Sequence, residues 1–114
     1  MEKHAWVDSF PGSITVCDRE GLLIEMNPAS EEVFKEDGGL GLLGASVLDC
    51  HPEPSRSKLS RMMETQQANI YTSERAGQKK LVCQVPWYQD GQYAGFVELM
   101  VPLPEDMPHF IRDG

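Results

Sequence analysis

The sequence predicts an α+β domain in which a five-stranded antiparallel sheet carries short helices on one face. Three observations predict it. Residues 14–34 read as strand, turn, strand and capped helix. Residues 54–67 carry a helical apolar pattern. Residues 69–101 alternate as three strands separated by the turn signals Ala76-Gly77 and Asp90-Gly91. A chain of 114 residues has room for one domain whose core needs no disulfide or metal staple.

Trp6, Val7 and Phe10 precede Pro11-Gly12, and two readings stay open for residues 1–12: a short cap helix or a loosely docked terminus. Ile14-Thr15-Val16-Cys17 is β-branched and apolar, and the Asp18-to-Gly21 stretch supplies a tight turn in which Gly21 takes positive φ. Residues 22–26 form the returning strand. Asn27 is placed to cap a helix, Pro28 suits its first position, and Glu31 and Glu32 lie near the positive end of its dipole. Ala29, Val33 and Phe34 share one helical face.

The run from Gly38 to Gly44 is glycine-rich but lacks the lysine and βαβ setting of a phosphate loop, so it reads as a hinge or irregular helix with its leucines inward. In Cys50-His51-Pro52-Glu53-Pro54-Ser55, a thiol adjoins an imidazole. Adjacent residues rarely converge on one substrate, and no second ligand stands at metal spacing, so the segment reads first as a joint between elements. Its functional reading is His51 as a polar contact at a pocket rim. The helix from about residue 54 to 67 aligns Leu59, Met62 and Met63, as core or as the lining of a deformable cavity.

In the C-terminal strands, alternation places Leu81, Cys83, Val85 and Trp87 on one face and Val82, Gln84, Pro86 and Tyr88 on the other. Gly95, Val97, Leu99 and Val101 likewise oppose Ala94, Phe96, Glu98 and Met100. Pro86 predicts a bulge or an unpaired position. Both faces are partly apolar. With the set containing Val85, Trp87 and Leu99 turned to the helices, Val82, Tyr88, Phe96 and Met100 need another cover: the N-terminal segment with Trp6 and Phe10, or a second subunit. Beyond Val101, three prolines in residues 102–108 disfavour a continuous helix.

Net charge is −8, from 18 acidic and 10 basic residues, which disfavours nucleic acid as a partner. No apolar run approaches the roughly 20 residues of a membrane span, and residues 1–6 lack a signal-peptide core, so the expected location is cytoplasmic, with no membrane partner. Cys17, Cys50 and Cys83 are odd in number and fit reduced thiols.

Asp18, Gly21, Ile24, Asn27, Ala29 and Phe34, with Ile24 one place late, resemble the front half of a PAS (Per-Arnt-Sim) domain. The segment from Leu43 to Asp49 followed by His51-Pro52-Glu53 is similar to the family's turn after its short helices, and Gly91 and Gly95 resemble its closing hairpin. The likeness spans about residues 13–102, which makes residues 1–12 a cap segment and 103–114 a proline-rich tail. It implies the PAS fold and a sensory or regulatory role of the bacterial type, without catalysis. Such a domain binds a small organic ligand in an apolar pocket, forms homodimers, or does both, and signals to an effector protein or domain.

The lining expected on that fold is Phe34, Leu48, His51, Leu59, Met62, Met63, Ile70, Tyr71, Val85, Trp87 and Leu99, with His51 and Tyr71 as polar anchors. The ligand is not named by the residues. The family's flavin-binding members need an asparagine-cysteine-arginine motif, which does not occur here, so flavin is disfavoured. Haem is open but disfavoured, because the 54–67 helix offers no axial histidine and His51 precedes it. Two alternatives remain: a purely structural dimerisation module, and, more remotely, a small enzyme using Cys50 or His51.

Overall fold

Strands β1 (Ser13–Asp18), β2 (Leu23–Met26), β3 (Asn69–Arg75), β4 (Gln78–Gln89) and β5 (Gln92–Pro102) form one antiparallel sheet in the order β2-β1-β5-β4-β3. The computed structural model describes residues 4–49 and 51–114. Helix α1 (Ala5–Ser9) precedes the sheet. Between β2 and β3 come α2 (Pro28–Val33), two 3-10 turns (Lys35–Asp37 and Gly39–Leu42) and α3 (Ser55–Thr65). The last strand closes against the first, so the two ends of the domain meet at the middle of the sheet.

Side chains bonding to nearby backbone shape the first third of the chain. Asp18 Oδ1 accepts from the amides of Glu20 and Leu22, each at 3.0 Å, and Gly21 turns the hairpin with φ 84°. The expected cap is present: Asn27 Oδ1 accepts from Ser30 N at 2.9 Å, with Pro28 in the first turn. Asn27 does more. Its Oδ1 also accepts from Ile14 N at 2.9 Å, and its Nδ2 donates to the carbonyls of Val7 at 3.1 Å and Gly12 at 3.0 Å. One fully buried amide thus ties α1, β1 and α2 together. The buried residue of α2 is Ser30, whose hydroxyl bonds Thr15 Oγ1 on β1, whereas Val33 is 48% exposed.

Both meander turns take positive φ at their two central residues, Ala76 and Gly77 (53° and 80°) and Asp90 and Gly91 (52° and 78°). Pro86 stays in register opposite Phe96; β3 begins opposite Gln84, so on that side Pro86 has no neighbouring strand to satisfy. The irregularity falls one residue on, between Trp87 and Tyr88. It sets Tyr93 opposite Tyr88, and Tyr93 packs edge-on to both Tyr88 and Phe96.

The orientation of β4 and β5 corrects the sequence expectation. Cys17 pairs with Phe96, and both join Leu23 and Met62 in the core under α3. The same register carries Val82, Met100, Gln84 and Glu98 to the helix side. Tyr88 also reaches that side, its hydroxyl donating to Gln66 Oε1 just past α3 at 3.2 Å. Ile70, Val85, Trp87 and Leu99 consequently lie on the far face. The reason is physical: both alternating sets are apolar enough to be buried, and the set that carries the polar pair Gln84 and Glu98 faces the interior.

Gly95 fixes the choice. It lies opposite both Asp18 and Trp87, and a Cβ there would come within 2.0 Å of the Cys17 carbonyl oxygen. The indole of Trp87 instead donates to that oxygen at 3.0 Å. On the far face Ile14 is buried, while Val16, Leu81, Cys83, Val85, Leu99 and Val101 are half-buried and Ile24 and Ile70 are exposed. Of the expected cap residues, Phe10 is half-buried and Trp6 is 59% exposed.

Candidate functional site

A chamber of about 80 Å³ lies between the sheet and the helices. Thr15 and Cys17 enter it from β1, Leu23 and Met26 from β2, Gln84 from β4, and Phe96 and Glu98 from β5; Phe34, Leu42, Val47, His51 and Leu59 close the other side. A more open cleft of about 360 Å³ adjoins it, lined by Ser55, Lys58, Met62, Asn69, Tyr71 and Met100. Phe34, His51, Leu59, Gln84 and Glu98 belong to both spaces. Three of these five are polar, so polar chemistry concentrates on the wall between chamber and cleft.

That wall is organised by hydrogen bonds. Asn69 Nδ2 on β3 donates to Gln84 Oε1 at 3.1 Å, and Gln84 Nε2 on β4 donates to Glu98 Oε2 on β5 at 2.7 Å. The chain of amides crosses three strands because these residues are direct register partners. Opposite them, His51 Nδ1 lies 2.6 Å from the carbonyl oxygen of Val47. A carbonyl only accepts, so Nδ1 carries the proton and a neutral ring leaves Nε2 as an acceptor.

Burial pushes the Cys17 thiol above its ordinary range, more than the Phe96 amide lowers it. Such a thiol is a packed neutral group at neutral pH, not an activated nucleophile. The Tyr71 phenol is also raised, first by burial and then by the negative charge of Glu98. Among the described residues, no three His, Cys, Asp or Glu side chains are grouped to hold a metal ion.

Of the residues expected to line a pocket, Phe34, His51 and Leu59 line the chamber and, with Met62 and Tyr71, the cleft. Met63 packs against the core beside Gly21, and Leu48 is half-buried without lining either space. Ile70, Val85, Trp87 and Leu99 are on the opposite side of the sheet, for the register reason given above. The residues not foreseen are chiefly those of β1 and β2 and the pair Gln84 and Glu98. Their signal was present as two lone polar residues inside otherwise apolar alternating sets. Of the inward leucines expected in the glycine-rich run, Leu42 lines the chamber, whereas Leu40 and Leu43 are exposed. Cys50 lies outside the described residues, and with it the expected Cys50 and His51 pair.

The sheet order, the helices on one face and the chamber between them define the PAS fold, as the motif spacing implied. Solved structures agree. A C-terminal domain from Streptococcus mutans superimposes with a TM-score of 0.67 at 23% identity, over 84% of this chain and 78% of that one. The Aer2 receptor of Vibrio cholerae, a dual PAS-heme oxygen sensor, gives 0.61 at 12% identity over 82% and 95%. The PAS domain of BvgS from Bordetella pertussis gives 0.60 at 18% identity over 87% and 82%. At these identities the likeness establishes the fold alone. No family model matches the chain, and no curated protein does. No helix among the described residues is long and apolar enough to cross a membrane.

Proposed function

We propose that residues 13–102 form a sensory or regulatory signalling domain that binds a small organic molecule in the chamber and passes the change to an effector protein or domain. The observation that carries this reading is the chamber itself, an apolar space with a few polar groups gathered on one wall, which is how small-molecule sites are built. The chamber's volume of about 80 Å³ suits a small organic molecule, with the adjoining cleft of about 360 Å³ as further room. No catalytic role is assigned: the Cys17 thiol is held neutral, and among the described residues no wall side chain pairs a nucleophile with a base.

A homodimer is the second part of the reading, with its surface moved from the expected position. The far face of the sheet presents half-buried Val85, Leu99 and Val101, flanked by exposed Ile24 and Ile70. An apolar face of that kind is suited to a second copy of the chain. Native mass spectrometry of gently purified protein, with an absorption scan of the same sample, tests both parts. A dimer with a retained small adduct is the expected result. A dimer of bare chains, with no stabilisation in a thermal-shift screen of small molecules, would favour the purely structural dimerisation module. A monomer would remove the dimer from either account.

A further inference from the structure

We propose that the chamber takes a small organic cation, a primary or secondary amine with a short apolar body, whose ammonium group pairs with Glu98. The inference rests on the ligand-binding reading above and narrows its chemistry.

Glu98 occupies the middle of β5, on the wall shared by chamber and cleft, and is half-buried. Its Oε2 is fixed by Gln84, which Asn69 fixes in turn, so the carboxylate is presented in one orientation. Its Oε1 has no hydrogen-bond partner among the described residues, and no basic side chain there forms an ion pair with it. Lys58, on the exposed rim of the cleft, stands beyond ion-pair distance. A carboxylate held by Gln84 at the edge of a cavity, with one oxygen unpartnered, is placed to accept a charge-assisted hydrogen bond from a bound cation.

The rest of the wall suits the same ligand. His51 Nε2 offers an acceptor in the neutral ring, and an ammonium group brings only donors. A ligand carboxylate or phosphate would meet Glu98 as a like charge. Leu23, Met26, Leu42 and Phe96 leave space for an apolar body of a few carbon atoms. The net charge of −8 also draws cations toward the protein.

The test is an NMR titration of the 15N-labelled full chain at neutral pH with three probes of equal length: n-propylamine, 1-propanol and propionate. The amine is expected to shift the amides around the chamber on β1 and β5 saturably, more tightly than the alcohol, with propionate weakest. Glu98→Gln should weaken the amine about tenfold while leaving the alcohol unchanged. The substituted amide can still accept from Gln84, so a native spectrum is expected. If the variant does not fold, the ranking on the wild-type chain decides alone. Propanol or propionate binding as tightly as the amine would overturn the proposal, as would an amine affinity indifferent to Glu98→Gln in a folded variant. Xenon separates the two levels of failure. If xenon enters the chamber and the amine does not, the cation inference falls and the ligand-binding reading stands; if both stay out, both fall.

Discussion

In the unit formed by β1, β2 and α2, the decisive hydrogen bonds join a side chain to backbone two to twenty residues away, as Asp18 and Asn27 do. In β4 and β5, orientation depends on pairing across the whole chain, Cys17 with Phe96 and Trp87 with the Cys17 carbonyl. Local chemistry can therefore be lost one bond at a time. The long-range part instead depends on a crossing point and on which face of two apolar strands turns inward.

The largest effect is expected at that crossing. Gly95→Val places a branched Cβ where 2.0 Å separates it from the Cys17 oxygen, at φ +144°. Circular dichroism and NMR should show loss of the native sheet, a destabilisation on the order of 5 kcal/mol or more, comparable with a whole domain's stability. Gly91→Ala is the matched control. It too has positive φ, but open space surrounds it, so about 1 to 2 kcal/mol is expected. Similar costs at the two sites would mean that Gly95 is needed only for its backbone freedom.

Next comes the face of β5. Phe96 is buried in the core, and Phe96→Ala should cost about 3 to 5 kcal/mol in a chemical-denaturation series. Leu99, half-buried on the far face, should cost about 1 to 2 kcal/mol in the isolated monomer. A reversed order would restore the orientation read from the sequence. Run at dimer-forming concentrations, the same pair reports on the far face, because Leu99→Ala then also weakens association.

What the sequence made legible follows this division. The Asp18 turn, the Asn27 cap, both meander turns and the α3 stripe each depend on residues adjacent in the chain, and all are found where their spacing puts them. The strand faces do not have that property. Alternation sorts β4 and β5 into two sets, but Val82, Phe96 and Met100 compete equally with Val85, Trp87 and Leu99 for the interior. Gln84 and Glu98 were the residues able to break the tie, and they break it against the usual rule that polar residues face water. The site inherits the same limit: Phe34, His51 and Leu59 were legible from the helical and turn segments, and the sheet floor was not.

Asn27→Ala should cost less than the core substitution, about 2 to 4 kcal/mol, because it leaves two buried amides and two carbonyls short of a partner without opening a large void. Hydrogen exchange distinguishes its role as a tie from its role as a cap. Faster exchange at Ser30 alone would make it a helix cap only, whereas faster exchange at both Ser30 and Ile14 is expected.

The smallest expected effect belongs to an exposed local device at the start of α3. Glu53 accepts from Ser57 N at 2.8 Å and Ser57 Oγ at 2.6 Å, and these bonds, the hydroxyl first, hold its carboxyl below the usual glutamate range. A group whose pKa is depressed by folding contributes stability above its unfolded pKa. That contribution is lost as the pH falls through the lower folded value, so α3 should loosen only in acid. Ser57→Ala removes the leading bond, and the Glu53 carboxyl midpoint, followed by NMR, should move up toward the ordinary range. The acid loosening of α3 should weaken with it, while the β5 amides stay unchanged, because nothing in the Cys17 and Phe96 pairing depends on this carboxylate. A shift that spread into β5 would show that local and long-range parts of the fold are coupled through α3, against the separation drawn above.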